Sequence, residues 1–139
     1  MDWGGTLPAQ GWQALGSLVT LNLLEVGLHG QLAATFPDSL QELWLISNAF
    51  TSISPDWRPP PHLRQLGLSN NQLNQTLGGQ RSWLAAAPEL QTLSLGDNRL
   101  HGTLPADLAL PPSLTYFELS GNQLSGGHDG SYIASALLC

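Results

Sequence analysis

Basic residues are scarce in this sequence of 139 residues. Four Lys and Arg side chains stand against ten Asp and Glu, which gives a formal net charge of -6. Proteins that bind nucleic acids need clusters of basic side chains to neutralise phosphates. The composition offers no such cluster, so we expect no nucleic-acid partner.

Cysteine and long apolar segments are also nearly absent. Cys139 is the single cysteine, which excludes an internal disulfide, and the Cys/His clusters of structural zinc sites are missing. No run approaches the roughly 18 apolar residues of a membrane-spanning helix, and the first residues lack the basic and apolar regions of a signal peptide. We therefore expect no metal and no cofactor, and membrane association only through parts of a longer parent chain.

What the sequence does contain is a repeated leucine pattern. The spacing LxxLxLxxNxL fits five times, with first leucines at Leu18, Leu40, Leu63, Leu90 and Leu114, which are 22, 23, 27 and 24 residues apart. These gaps fit no α-helix, in which apolar residues of one face recur at three and four positions. In a short strand, the second and third leucines share one face and their neighbours lie on the other. The pattern therefore predicts one short strand per repeat and a continuous leucine core.

The pattern resembles that of leucine-rich-repeat proteins, whose repeats span about 20 to 29 residues. The residues that follow it, Gly102, Leu104 and Pro105 in one repeat and Gly30 and Leu32 in another, are similar to the GxLP extension of the plant-type subclass. The resemblance implies an α/β solenoid, a right-handed horseshoe segment. Its parallel β-sheet would form the concave face, and short helical or 3-10 turns and extended loops would form the convex face.

We expect a single domain over residues 1–139, with a partial repeat at 1–17, repeats starting near residues 18, 40, 63, 90 and 114, and a partial repeat from about residue 131. Neither terminus resembles the polar caps that usually end a repeat array, so a fragment of a longer solenoid is expected. One departure from the pattern is Ser54, which fixed spacing places at the position of Leu32.

Two sets of residues are predicted to build the interior. A buried amide needs hydrogen-bond partners, so the asparagines of the pattern should bond to the backbone of neighbouring turns. Large apolar residues before successive strands should pack under the convex side, although a cation or sugar cage is the alternative interpretation of the tryptophans. A helical turn or two is expected within residues 81–87. The asparagines are Asn48, Asn71, Asn98 and Asn122, and the apolar column is Trp12, Trp57, Trp83 and Leu108.

The outward side of the sheet carries the candidate binding residues. Trp44, Ile46 and Leu24 would be large apolar side chains on an open face, and such clusters usually mark interaction sites. Several carboxylates make this face mildly acidic, which suits a basic or neutral partner surface. The alternative is that a neighbouring repeat or loop of a parent protein covers Trp44. The candidates are Asn22, Leu24, Glu25, Glu42, Trp44, Ile46, Gln65, Tyr116 and Glu118.

No combination of acid, base and nucleophile is indicated by the motifs, so we expect no enzyme activity. The predicted function is non-catalytic recognition of another protein or a peptide through the concave face. A structural spacer without a binding site of its own is the alternative. The resemblance implies a receptor-like protein at the cell surface or outside the cell, and a cytoplasmic or cytoskeletal scaffold stays open. Asn74 begins one N-glycosylation sequon in a predicted turn.

Overall fold

The computed structural model describes residues 5–77, 83–103 and 110–125. Short strands alternate there with loops, and two 3-10 helices span Trp12–Ala14 and Trp83–Ala86. The strands are β1 (Thr20–Asn22), β2 (His29–Leu32), β3 (Glu42–Trp44), β4 (Ala49–Ile53), β5 (Gln65–Gly67), β6 (Thr92–Ser94), β7 (His101–Thr103), β8 (Tyr116–Glu118) and β9 (Gln123–Ser125).

The main sheet contains one strand from each repeat. Its order is β1-β3-β5-β6-β8, and every neighbouring pair is parallel. The central residues of the strands pair in register, and Leu43, Leu66 and Leu93 are fully buried. Because successive side chains of a strand alternate in direction, the first and third residues of each strand lie on the opposite, outward face. The strand predicted for each repeat and the parallel solenoid implied by the resemblance are both confirmed.

Two smaller parallel pairs, β2-β4 and β7-β9, follow the main strands. Fixed spacing is wrong for β4. Ile53, not Ser54, pairs with Leu32, because β2 and β4 pair at an offset of 20 residues up to Gly30 and of 21 from Gln31, whereas β1 and β3 pair at an offset of 22. Ile53 is buried, whereas Ser54 is half-buried. The bulge inserts Thr51 into β4, so Ile53 rather than Ser52 lies opposite Leu32 and an apolar side chain reaches the core.

The tryptophans predicted for the convex side lie in the core. Trp57 and Trp83 are buried, with ring centroids 5.7 Å apart, and Trp57 Nε1 donates to the carbonyl of Ala34 at 2.9 Å. Trp12 is half-buried, with its ring centroid 5.5 Å from that of Phe36. These contacts favour packing over a cage for a cation or sugar. Leu108, the fourth member of the predicted column, lies outside the described residues.

The helical turn expected within residues 81–87 is the 3-10 helix Trp83–Ala86. It holds two buried residues, Trp83 and Leu84, so it contributes to the core. Within the described ranges, no helix is long and apolar enough to cross a membrane.

A ladder of asparagine side chains joins consecutive repeats inside the solenoid. Asn98 Nδ2 donates to the carbonyl oxygens of Leu68, Leu95 and Gly96 at 3.0, 3.1 and 3.1 Å, and its Oδ1 accepts from the backbone N–H of Leu73 at 3.0 Å. Leu68 and Leu73 belong to the preceding repeat. Each of the other three asparagines likewise bonds to the backbone of its own repeat and of the preceding one: Asn48, Asn71 and Asn122.

Asn98→Ala should lower the free energy of unfolding by about 3 kcal/mol, the upper end of the cost of leaving a buried polar group unpaired. Asn98 is 7% exposed, so water does not readily replace the lost amide. Urea denaturation followed by far-UV circular dichroism measures the change. Asn74→Ala is the matched control, since Asn74 is exposed, and its effect should stay within about 0.5 kcal/mol. Equal destabilisation by both variants would contradict the role of the ladder.

Candidate functional site

The outward face of the main sheet, called the sheet face below, presents two rows of side chains. Strand register places the residues of each row directly beside one another. The first row is Thr20, Glu42, Gln65, Thr92 and Tyr116, and the second is Asn22, Trp44, Gly67, Ser94 and Glu118.

Trp44 does not stand upright on β3 but leans across the neighbouring strand. A β-carbon placed on Gly67 of β5 would lie 2.5 Å from Cε3 and 2.9 Å from Cζ3 of the indole, and 3.0 Å from Cδ1 of Ile46. Real β-carbons do not approach other atoms so closely, so the ring occupies space that any other residue at position 67 would need. The missing side chain of Gly67 therefore provides the seat of Trp44.

Leu24, Trp44 and Ile46 form the apolar patch of the sheet face. Leu24 is 51% exposed, and Trp44 and Ile46 are half-buried. A backbone hydrogen bond joins the segments that follow β1 and β3, since Glu25 N–H donates to the carbonyl of Ile46 at 3.1 Å. The three apolar candidates thus come together at the N-terminal side of the sheet, as expected for an interaction surface.

Some of the polar candidate binding residues beside the apolar patch form hydrogen bonds with neighbouring groups of the chain. Thr20 Oγ1 donates to Glu42 Oε2 at 2.9 Å. Asn22 Oδ1 accepts from the backbone N–H of Leu24 at 3.2 Å and so helps to shape the end of β1. Gln65 lies beside Glu42 and is half-buried.

Glu118 and Tyr116 lie on β8, at the opposite edge of the sheet. Glu118 leans toward the centre, because a β-carbon placed on Gly96 would lie 2.5 Å from its Oε1 and 2.9 Å from its Cδ. Ser120 Oγ donates to the same Oε1 and restrains the carboxylate. Tyr116 is 47% exposed beside it.

Small residues separate the two groups of candidates. Gly67 and Gly96 are buried beneath Trp44 and Glu118, and Ser69 and Ser94 lie between these large side chains. The Ser69 hydroxyl oxygen is buried and is without a hydrogen-bond partner in the described part of the chain. The sequence interpretation missed both glycines as members of the site. The signal was available for Gly67, which pairs with Trp44 in the second row, but not for Gly96, which belongs to neither row.

The sheet face is acidic, with Glu25, Glu42, Asp97 and Glu118 on or beside it. Between described residues, the only contact of a carboxylate with a basic side chain joins His62 Nδ1 to Glu89 Oε2 at 3.0 Å, in the loops that precede β5 and β6, and it is an ion pair when the imidazole is protonated. The four carboxylates therefore have no cationic side chain within ion-pair distance in the described ranges. These ranges also contain no cluster of three or more potential metal-binding side chains.

Comparison with known proteins relates the chain to plant receptors. The leucine rich repeat family model matches residues 61–124. The chain is 36% identical over 120 residues to the brassinosteroid LRR receptor kinase BRL3 of Oryza sativa subsp. japonica, which covers 81% of this chain and 10% of that protein. It is 41% identical over 101 residues to receptor-like protein 1 of Arabidopsis thaliana, which covers 71% of this chain and 9% of that protein.

These two relatives are much longer proteins, and the chain spans about a tenth of their length. Among solved structures, the BIR2 ectodomain from Arabidopsis thaliana is similar, with a TM-score of 0.60 and 34% sequence identity. That similarity covers 76% of this chain and 56% of the ectodomain chain.

Gly67→Ala should force the indole of Trp44 off its seat, because the new methyl group would overlap Cε3. Rotation of the ring should keep the cost in unfolding free energy near 0.5 to 1.5 kcal/mol, as for a side chain moved away from its rotamer. Acrylamide quenching of tryptophan fluorescence measures the change, with a Trp44→Phe variant isolating the contribution of this indole. Acrylamide should quench the fluorescence of Trp44 more strongly in Gly67→Ala than in the wild-type chain, because the displaced indole is more accessible.

Gly16→Ala is the matched control for this substitution. Its nearest neighbour would be the carbonyl oxygen of Gln13 at 4.0 Å, so the added methyl group fits without displacement. Quenching unchanged by Gly67→Ala would show that the indole does not need this seat.

Proposed function

Because this chain is a leucine-rich-repeat solenoid of the plant type, we propose that it binds an extended segment of another protein, or a peptide, across the sheet face. The observation that supports this function is the apolar patch, with Trp44 seated on Gly67 and Leu24 51% exposed. Isolated exposed apolar residues are ordinary, but a contiguous patch with an aromatic centre is typical of interaction surfaces.

The seat of Trp44 also favours binding energetically. A side chain that is ordered before the partner arrives loses little conformational entropy on binding. Gly67 and Ile46 restrict the indole, and the parallel strands hold the backbone beneath it. The partner then gains contact with a large aromatic surface at a low entropic cost, as in the aromatic residues that dominate many interfaces.

The names of the similar proteins support a location and a context for this function. One relative is named a receptor kinase, another a receptor-like protein, and the similar structure is an ectodomain. We accordingly propose a receptor-like recognition role at the cell surface or outside the cell. Kinase activity is not part of the proposal, and the sheet face acts by binding alone.

Trp44→Ala should weaken peptide binding by about 30-fold or more, the effect of losing an interface residue worth about 2 kcal/mol. Peptides are first selected from a phage-displayed library of random heptamers on the immobilised wild-type chain. The dissociation constants of selected peptides for each variant are then measured by fluorescence anisotropy.

Leu15→Ala is the control for this experiment, because Leu15 is 50% exposed and follows the 3-10 helix Trp12–Ala14, outside the sheet face. It should leave the dissociation constants unchanged. Peptides that bind Trp44→Ala and Leu15→Ala equally well, or a library that yields no binders, would refute recognition through the sheet face. The second result would favour a spacer, or a patch covered by other parts of a longer protein.

We also propose that Asn74 carries an N-linked glycan when the chain passes through a secretory pathway. Asn74 and Thr76 are exposed, and the Thr76 backbone pairs with His101 beside β7. Gln75 Oε1 accepts from the N–H of Ile53 at 2.7 Å, which fixes the turn around the sequon. The glycan would thus extend from the turn after β5, away from the strands of the sheet face.

Secreted expression in plant cells should yield a chain whose mass decreases on treatment with a deglycosylating amidase. Asn74→Gln should abolish that decrease, since the amide nitrogen of Asn74 is the attachment point. Asn70→Gln, at an asparagine outside any sequon, should preserve it. An untreated secreted chain of unmodified mass would contradict the proposal.

A further inference from the structure

The indole of Trp44 and the carboxylate of Glu118 both lean from their own strands toward the centre of the sheet face. The indole covers Gly67, and the carboxylate lies over Gly96. Gly67 pairs with Ser94, so Gly96 is one strand further across the sheet and two residues further along it. With strands about 4.8 Å apart and a rise of about 3.3 Å per residue, the two seats are about 8 Å apart.

This space, called the gap below, has an apolar wall, an anionic wall and a small-residue floor. Trp44 provides the first wall and Glu118 the second, and Ser69 and Ser94 lie between them. Ser120 Oγ donates a hydrogen bond to Oε1 of Glu118, which leaves Oε2 to accept a hydrogen bond from a partner. A ligand for the gap therefore needs an aliphatic or aromatic surface and a cationic donor within one short length.

We propose, building on the function proposed above, that the partner inserts one arginine side chain into the gap. Its methylene stem would pack against the indole, and its guanidinium would donate to Glu118. Long basic side chains combine an apolar stem with a charged head, and arginine is the cation most often found over tryptophan rings. An arginine side chain is long enough to reach both walls.

The charges of the surroundings favour this occupant. Asp97 follows Gly96 and adds a second carboxylate near the gap, with its Oδ1 directed toward Gly121, which lies after β8. None of the carboxylates on the sheet face has an ion-pair partner within the described ranges. A guanidinium is preferred to an ammonium because it is planar, weakly hydrated and rich in donors, and so it can stack and hydrogen-bond together.

The heptamers selected on the wild-type chain provide the test. We expect arginine to be enriched in them, next to or two residues from an apolar residue. Selection on Glu118→Gln, which keeps the shape of the side chain, should lose the arginine preference. Selection on Glu89→Gln should keep it, because Glu89 pairs with His62 outside the sheet face and its loss changes the net charge equally.

A double-mutant cycle on one selected peptide shows whether the contact is direct. Replacing its arginine by citrulline removes the charge but keeps the shape, and should weaken binding to the wild-type chain about tenfold, as expected for a charge-assisted hydrogen bond. The same replacement should have little effect on binding to Glu118→Gln, since the two changes remove one interaction.

The outcomes separate this inference from the proposed function. Binders that depend on Trp44 but show no arginine preference would overturn the insertion of an arginine into the gap and would leave the proposed function standing. Additive effects of Glu118→Gln and citrulline, or equal acceptance of lysine, would also overturn it. Binding that is independent of Trp44, or a selection without binders, would overturn both.

Discussion

The hydrogen bonds of the buried asparagines are the interaction on which the other features depend. After each main strand the backbone turns inside the solenoid, where its N–H and C=O groups cannot reach water. Asn71 bonds there to the carbonyls of Leu45 and Leu68 and to the N–H of Phe50, and so links two repeats through one side chain. A primary amide suits this position because it carries both donors and an acceptor.

This linkage separates the scaffold from the surface. Inward residues are leucine, phenylalanine or asparagine in nearly every repeat, because they pack or bond against their counterparts in the next one. The alternating direction of strand residues leaves the sheet face outside these constraints. Large and small residues can therefore be combined there as binding requires, and the pairs Trp44 with Gly67 and Glu118 with Gly96 are two such combinations.

Repeat spacing was sufficient to predict the five main strands and which of their residues face outward, because one leucine register fixes both, and the resemblance to leucine-rich repeats supplied their parallel order. It failed at β4, where Ile53 replaces Ser54 opposite Leu32, since the β2-β4 pair keeps an offset of 20 to 21 residues and not the 22 of the main strands. It also could not predict where Trp44 points. That direction depends on the absence of a side chain at Gly67, one repeat away in sequence but adjacent in the sheet.

One backbone position of each repeat, the residue before the asparagine or before Val26 in the first repeat, indicates whether stability alone shapes the sheet face. Glu25, Ser47, Asn70 and Asp97 all have positive φ, with values of 54, 60, 57 and 53°. Glycine adopts this conformation without strain, as Gly121 does at the equivalent place, whereas other residues pay of order 1 kcal/mol or more. Asn70 and Asp97 belong to the types that tolerate it best, but Glu25 does not. Glycine at position 25 would remove this strain, so folding alone does not require a carboxylate there, and its place beside the apolar patch supports the binding role proposed for the sheet face.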